Sequence, residues 1–420
     1  MKLLTVDLPS TLPDIPAPSV GEQWVLVRFH GEPIGILKFA GHGCTARELG
    51  ELIAGRFNDR ILRHMVADAL TDHAGPADSP RPDCPQRPDF DRPRVTVAVC
   101  TRDGAERLPQ CLDSLVALAY PADLLDLLVV DNAPHDDATR RLVAFHYPSI
   151  RYVAEPRPGL DHARNRAIAA ARGVIVAFAD DDVSVDGGWI DAISRVFVDE
   201  PDVDAVTGLV VADEIDVEPQ RLFELYGGFG RGFDRQFHRV DTVSREKAAR
   251  RHAGAGRFGT GANMSFRRRV FDRIGGFDPA LDVGTSTNGG GDLEMFFRVL
   301  KEGGTLVYEP SAIVRHRHRR TYAQLRTQLA NNGLGFYSHL VRSAREYPDE
   351  RAAIVKLGTW WFAWWNLRRL AHTFVKPSAF PRDLVLAELF GSIRGLGRYS
   401  RALKDASLNR VVRHGQGHTS

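Results

Sequence analysis

Ala171-Arg-Gly-Val-Ile-Val-Ala-Phe-Ala-Asp-Asp-Asp-Val183 decides how the chain is read. Val174 to Phe178 form a continuous apolar run, the mark of a short strand buried on both faces. The run empties into Asp180, Asp181 and Asp182, three carboxylates that repel one another unless a cation lies among them. A central strand ending in an acidic cluster predicts a divalent-metal site at the C-terminal edge of a parallel sheet, where open α/β folds bind ligands. Taken alone, the triplet reads more simply as a solvated acidic turn. Its neighbours decide between the two.

Upstream, Arg94-Val-Thr-Val-Ala-Val-Cys100 reads as a strand and Thr101-Arg-Asp-Gly104 as a turn. A helix follows, with Leu108, Cys111, Leu112, Leu115 and Val116 on one face. Leu127 to Val130 is a second strand ending at Asp131-Asn132, Tyr152-Val-Ala154 a third, and Gly159 to Arg172 holds an alanine-rich helix. Strands alternating with helices of this length predict an α/β fold on a mainly parallel, doubly wound sheet. The polar ends at Thr101-Arg-Asp103, Asp131-Asn132 and Asp180-Asp-Asp182 then fall on one edge and converge on a crevice. Asp103 alone also reads as a helix cap.

The 420 residues suffice for two or three domains. Residues 1–70 are expected to form a small ββα accessory domain. Trp24 to Phe29 and Ile34 to Phe39 flank a Gly31-Glu-Pro33 turn, and Thr45-Ala-Arg-Glu48 has capping-box spacing before a helix. Residues 1–22 hold four prolines and are expected to be mobile. Six prolines mark 71–93 as a linker, residues 94–320 form the main domain, and 321–420 form a helical extension. That extension is basic: from Arg315 onward there are 19 Lys and Arg against 6 Asp and Glu, while the whole chain has 55 and 53. A basic tail on an acidic body suits an anionic surface or ligand. Four cysteines without paired spacing fit reduced thiols in the cytoplasm rather than a disulfide scaffold or zinc site. The N-terminus lacks the apolar core of a signal peptide, and no 18-residue apolar run predicts a membrane span.

In order and approximate spacing, several segments resemble the inverting, nucleotide-sugar-dependent glycosyltransferases of family 2, which have a GT-A fold. The matching pieces are Val95 to Asp103, Leu128-Val-Val-Asp-Asn132, Gly159-Leu-Asp-His-Ala-Arg-Asn-Arg166, Ala171 to Asp182, Gly261-Ala-Asn-Met-Ser-Phe-Arg-Arg268, Ile274-Gly-Gly-Phe-Asp278, Gly291-Asp-Leu-Glu294 and His316. Each is weak alone; together they are specific. The resemblance implies that Thr101, Asp103, Asp131, Arg164, Asp180 and Asp181 bind the nucleotide. It implies that Asp180, Asp182 and His316 hold Mn²⁺ or Mg²⁺ against the diphosphate, and that Asp292 is the general base toward the acceptor hydroxyl. His318, two residues past His316, competes for the metal, and Arg315 to Arg320 also reads as a solvated or phosphate-binding basic turn. Asp292 also reads as an N-cap. One departure stands out: the family usually has Glu before this Asp, and here the position is Gly291.

Gly284 to Gly291 is too rich in Gly, Ser and Thr for regular structure and reads as a lid over donor and acceptor, or as an ordinary connection. Gly259-Thr-Gly-Ala-Asn263 either brings backbone close to the donor sugar or is a plain glycine-rich loop. Thr359-Trp-Trp-Phe-Ala-Trp-Trp365, beside Lys356, Arg368 and Arg369, suits either a buried helix or a membrane interface. No Gln-x-x-Arg-Trp motif of processive synthases follows the core, which predicts a single transfer per encounter. The expected partners are a nucleoside diphosphate sugar, a hydroxyl acceptor (glycan, lipid-linked or small molecule) and the inner membrane face, with no nucleic acid. A sugar nucleotidyltransferase and a catalytically silent sugar-nucleotide-binding protein are the alternatives. The first would need a basic triphosphate loop that Thr101-Arg-Asp-Gly-Ala-Glu106 does not supply.

Overall fold

A computed structural model describes residues 2–8, 10–17, 22–40, 43–71, 90–239, 255–376 and 380–416. Most of the expected linker, from residue 72 to residue 89, lies outside the described residues.

The alternating apolar segments of the first 40 residues form three strands rather than two. These are β1 (Leu4–Leu8), β2 (Glu22–Phe29) and β3 (Glu32–Ala40). β1 lies parallel to β2, and β3 pairs antiparallel to β2 through the turn at His30-Gly31. So part of the proline-rich start is ordered: Val6 is buried in the core of this sheet, and Leu3 packs against the main body. Helix α1 (Ala46–Thr71) covers the sheet. Its start follows the sequence expectation, since Glu48 accepts from the Thr45 backbone N–H at 2.8 Å and Thr45 Oγ1 accepts from the Glu48 N–H at 3.3 Å. The unit does not stand alone. Leu3, Trp24 and Leu26 share a core with Leu209, Val211, Tyr308 and Ile313 of the main sheet, and Arg28 pairs with Asp186.

The main domain is built on β4 (Val95–Thr101), α2 (Leu108–Val116), β5 (Leu125–Asn132), α3 (Ala138–His146), β6 (Arg151–Glu155), α4 (Leu160–Ala170) and β7 (Ile175–Asp180). Their strands pair parallel in the order β7-β4-β5-β6. All seven residues of β4 are buried, as the unbroken apolar run requires of a strand covered on both faces. The sheet then continues with β8 (Val183–Val185), α5 (Trp189–Asp199), β9 (Val203–Ala212), α6 (Glu218–Tyr226), β10 (Gln236–His238), β11 (Asn263–Arg267) and β12 (Thr305–His316). β11 inserts antiparallel between β7 and β9, and β12 runs parallel to β9. The doubly wound half is therefore parallel, as expected, and β11 reverses direction where the sheet turns to its second half. Two cores, one on each face, hold it. Val97, Val99, Leu112 and Trp189 belong to one; Phe178, Phe266, Met295 and Phe296 to the other.

Beyond β12 the chain is helical. Tyr322–Glu346 is one continuous helix; Arg351–Trp361 and Arg368–Val375 are joined by a π-helical stretch at Phe362–Leu367; Arg382–Gln416 is the last described helix. The first and last of these helices cross at contact distance because glycines line the crossing. A Cβ on Gly391 would lie 1.9 Å from the Ala330 carbonyl oxygen, whereas one on Gly397 would meet nothing within 4 Å.

This crossing can be tested by thermal and denaturant unfolding. Gly391→Ala is expected to destabilise the chain by about 1–3 kcal/mol, as overpacking does. Gly397→Ala on the same helix is expected to gain up to about 1 kcal/mol from helix propensity.

Candidate functional site

Each parallel strand delivers a polar group to the same sheet edge, and the groups fall into two neighbouring sets. In the first, Thr101 at the end of β4 donates its hydroxyl hydrogen to Asp181 at 2.6 Å, and Arg107 holds the same carboxylate oxygen at 2.8 Å. Asp103, with a left-handed φ of 49°, sits exposed at the rim. There the His135 backbone N–H and imidazole hold its carboxyl below the usual range. Asp131 at the end of β5 is fully buried, which pushes its carboxyl up. Its Oδ2 accepts from the Tyr152 hydroxyl at 3.0 Å, the Thr139 hydroxyl also favours its charged form, and its Oδ1 has no partner at full hydrogen-bond geometry. An open buried acceptor beside these strand ends is the kind of group that takes an N–H or O–H from a ligand.

The second set surrounds a cavity of about 180 Å³ lined by Asp161, Arg164, Asp180, Gly261, Asp292 and His316, among others. That is below the roughly 300–1,000 Å³ of whole-ligand pockets, so it suits one ring-sized part of a larger ligand. Helix α4 projects Arg164 into it, with Nη1 3.0 Å from Asp161 Oδ1. Burial opposes the guanidinium charge, but Asp161, Asp180 and Asp292 outweigh this and keep it protonated. For Asp180 the balance goes the other way: burial, then Asp182, outweigh Arg164 and raise its carboxyl to about 7.

Asp292 is the second residue of the helix Gly291–Lys301; the N-cap is Gly290, at a φ of 103°. Its Oδ2 accepts from the Gly261 N–H at 2.8 Å and its Oδ1 from the Leu293 N–H at 2.9 Å. Gly261 is what lets that backbone approach, because a Cβ there would fall 2.7 Å from Arg164 Nη2. The glycine-rich stretch 259–263 thus grips Asp292. Residues 284–290 have no helix or strand, as expected, while Gly291 opens the helix, and the segment is pinned. Thr287 is buried and donates to the Ala280 carbonyl at 2.8 Å, Ser286 donates to the Arg398 carbonyl at 3.2 Å, and Gly290 abuts Gly335.

At the far wall, Asp182 Oδ1 lies 3.4 Å from His316 Nε2. His316 Nδ1 faces His318 Nδ1 at 3.1 Å, and His318 Nε2 lies 2.7 Å from Glu224. In the arrangement in which His318 donates from Nε2 to Glu224 and accepts at Nδ1, His316 donates from Nδ1 and turns its Nε2 lone pair toward Asp182. Burial, reinforced by His318, keeps the His316 imidazole neutral. A lone pair opposed to a carboxylate oxygen is a repulsive contact that a cation would reverse. The donor chemistry of Asp182 and His316, with Asp180 in the same cavity, therefore fits a divalent metal, although among the described residues no three such donors already converge on one point. His318 is turned toward Glu224 through Nε2 and toward His316 through Nδ1.

Sequence reasoning assigned nothing to Asp161, Arg107, Glu224 or Asp282. Asp282 accepts from the Asp161 N–H at 2.9 Å across 121 residues, and burial pushes its carboxyl up to about 6. Only Asp161 left a trace, as an unassigned acid inside the Gly159–Arg166 motif.

The four tryptophans of 360–365 divide. Trp365 donates to Glu388 at 2.9 Å and Trp361 packs on Phe336, whereas Trp360 and Trp364 are about half exposed. Among the described residues no helix is long and apolar enough to cross a membrane.

Residues 96–275 match the family model described as "Glycosyl transferase family 2". The chain is 25% identical over 238 residues to a glucosyl-dolichyl phosphate glucuronosyltransferase of Haloferax volcanii, covering 53% of this chain and 69% of that one. It is 27% identical over 348 residues to a pre-mycofactocin glycosyltransferase of Mycobacterium tuberculosis, covering 80% and 63%. Among solved structures, the mannosyltransferase PcManGT of Pyrobaculum calidifontis, in complex with GDP-Man and Mn²⁺, aligns over 82% of this chain and 96% of its own, with 19% identity and a TM-score of 0.49.

A carboxyl whose folded value is raised, like that of Asp282, binds more protons in the native than in the unfolded state between about pH 4 and pH 6. Its stabilisation is present below the unfolded value and is lost as pH rises through the folded one. Asp282→Asn removes that slope, so from pH 4.5 to pH 7.5 the variant should gain about 1–3 kcal/mol relative to wild type, read by denaturant unfolding.

Proposed function

We propose that this chain, whose residues 96–275 belong to glycosyl transferase family 2, is a hexosyltransferase that moves a sugar from a nucleoside diphosphate to an acceptor hydroxyl with inversion, once per encounter, in polysaccharide or glycoconjugate synthesis. The observation that carries the reading is one cavity sharing Arg164, Asp180, Asp292 and His316. A nucleophile's base and a leaving group's electrostatic partners thereby face the same ring-sized space.

Asp292 takes the proton of the acceptor hydroxyl as its oxygen bonds to the anomeric carbon. The bond from that carbon to the diphosphate oxygen breaks, and its electron pair leaves with the diphosphate. The Gly261 and Leu293 N–H groups hold the carboxylate in one orientation and leave it lone pairs for that proton. Thr101, Asp103, Asp131, Arg164, Asp180 and Asp181 bind the nucleotide, Asp131 through its open oxygen. Asp180, Asp182 and His316 would hold Mn²⁺ or Mg²⁺, which when bound would supply positive charge for a departing diphosphate. Glu224 and His318 keep His316 in the ligating tautomer.

A peripheral position on the inner membrane face belongs to the same reading. Trp360, Trp364, Leu367 and Phe374 recur at helical spacing and are exposed, with Arg368 4.6 Å over the Trp364 ring; Phe390, Ile393 and Leu396 are exposed on the last helix. Apolar faces beside basic residues suit an anionic bilayer surface.

Two measurements test this. Donor hydrolysis and transfer with Mn²⁺ should fall by about 10²–10⁴-fold in Asp292→Asn, the range of a lost general base, while donor affinity by calorimetry stays within a few fold and a chelator abolishes turnover. Full transfer by the variant would remove Asp292 from its role. In co-sedimentation at low salt the wild type should pellet with anionic vesicles, and Trp360→Ala with Trp364→Ala should weaken this by about tenfold or more. A wild type that stays in the supernatant would end the membrane reading.

A further inference from the structure

Gly291 stands where the family pattern has Glu, and the structure gives a physical reason. A Cβ built on Gly291 would lie 2.1 Å from Asp161 Oδ2 and 2.8 Å from its carboxyl carbon. Asp161 cannot swing aside. It is buried, its Oδ1 is held by Arg164 Nη1 at 3.0 Å, and its own N–H is tied to Asp282 at 2.9 Å. Positions 161 and 291 therefore compete for one volume, and glycine at 291 is the residue that leaves it to Asp161. Helix α4 thus places a carboxyl group where the Cβ of any larger residue at 291 would lie.

Its second oxygen has no use within the protein. Asp161 Oδ2 is buried without a hydrogen-bond partner, on a residue lining the cavity that Asp292 also lines. A buried acceptor left without a hydrogen bond is destabilising, and a ligand O–H that supplies the bond relieves it. Charge restricts that ligand. Around Asp161 the carboxyls of Asp282 and Asp292 outnumber the one guanidinium of Arg164, and burial with that repulsion already pushes the Asp161 carboxyl up, so a further anion beside it is disfavoured.

We propose that Asp161 is a sugar-binding residue: its free Oδ2, in the volume vacated at Gly291, accepts a hydrogen bond from a ring hydroxyl of a neutral hexose next to Asp292. Asp282 is a positioning residue that anchors the first turn of α4 beneath it. The inference rests on the reading of this cavity as the transfer site.

The test uses the full chain with Mn²⁺ and a panel of UDP-, GDP- and dTDP-linked hexoses and hexuronates. Release of nucleoside diphosphate by the wild type checks the transfer site itself; no release from any donor would sink that reading and this one together. With release established, Asp161→Asn keeps its oxygen on Arg164 and turns an N–H₂ toward the sugar. Its kcat/KM should fall about 10- to 100-fold, as for a lost hydrogen bond to a charged group, with affinity for the sugar-free diphosphate within twofold of wild type. A loss already present in donor hydrolysis assigns the hydroxyl to the donor, and one confined to transfer assigns it to the acceptor; both support the proposal. Neutral hexoses should be preferred over the corresponding hexuronates at least tenfold. Gly291→Glu alone should be inactive, and Asp161→Ala combined with Gly291→Glu should recover activity lost in Asp161→Ala. Unchanged kinetics in Asp161→Asn, an equal loss of affinity for the sugar-free diphosphate, or a double variant that unfolds at the wild-type temperature without regaining activity would overturn the proposal.

Discussion

The buried guanidinium of Arg164 is the constraint on which the site depends. It is paired to Asp161 and faces Asp180 and Asp292, with its Cζ 5.3 Å from the Phe277 ring centroid. Even with it, burial and mutual repulsion push the carboxyls of Asp161, Asp180 and Asp282 up; without it they would take up protons more readily still. Removing one partner from such a group leaves uncompensated buried charge, which is far more costly than the group's net contribution to stability suggests. Arg164 also couples three pieces of chain that are otherwise remote: helix α4, the end of β7 and the helix that begins at Gly291.

Around this centre the rest of the fold supplies rigidity. Gly261 brings an N–H to Asp292, and Gly290 lets the turn before it rest on Gly335 of the long helix Tyr322–Glu346. Within the helix that carries Asp292, buried Glu294 pairs with Arg298 and with Arg342 of that same long helix, both at 2.6 Å. The helical extension is thus part of the scaffold behind the proposed base. Packing of this kind holds a carboxylate in place more firmly than its own loop could.

The strand ends were legible in the sequence because their signal is local. Apolar runs stop at Thr101, Asp131 and Asp180, and parallel pairing puts those ends on one edge. Asp292 and His316 were legible through motif order, and they do line the cavity that Asp180 enters. The resemblance put Asp103 with the nucleotide, and the structure has it exposed and held by His135. What the sequence did not display was pairing across long separations. Asp161 with Gly291, Asp161 with Asp282, and His318 with Glu224 meet only once the sheet has curled, so no periodicity announces them. The start of the chain misled for a related reason. Prolines around Leu4–Leu8 suggested mobility, yet the strand is held by pairing with β2 and by burial of Leu3 against the main sheet. The tryptophan cluster offered two readings, and each is satisfied by a different pair of residues.

Arg315, one residue before His316 on β12, donates to the carbonyl of Leu3 at 2.9 Å, a contact spanning 312 residues. The wall of the cavity is therefore clasped by the opening strand of the chain. Closing a loop of that size carries a large entropic cost that is recovered only after the intervening sheet has assembled. During synthesis the N-terminal sheet is available early, but its docking surface on β9 and β12 is complete only when the last strand emerges. Assembly of the site is thus deferred to the end of folding, and a chain stalled before β12 presents Leu3, Trp24 and Leu26 as an uncovered apolar face.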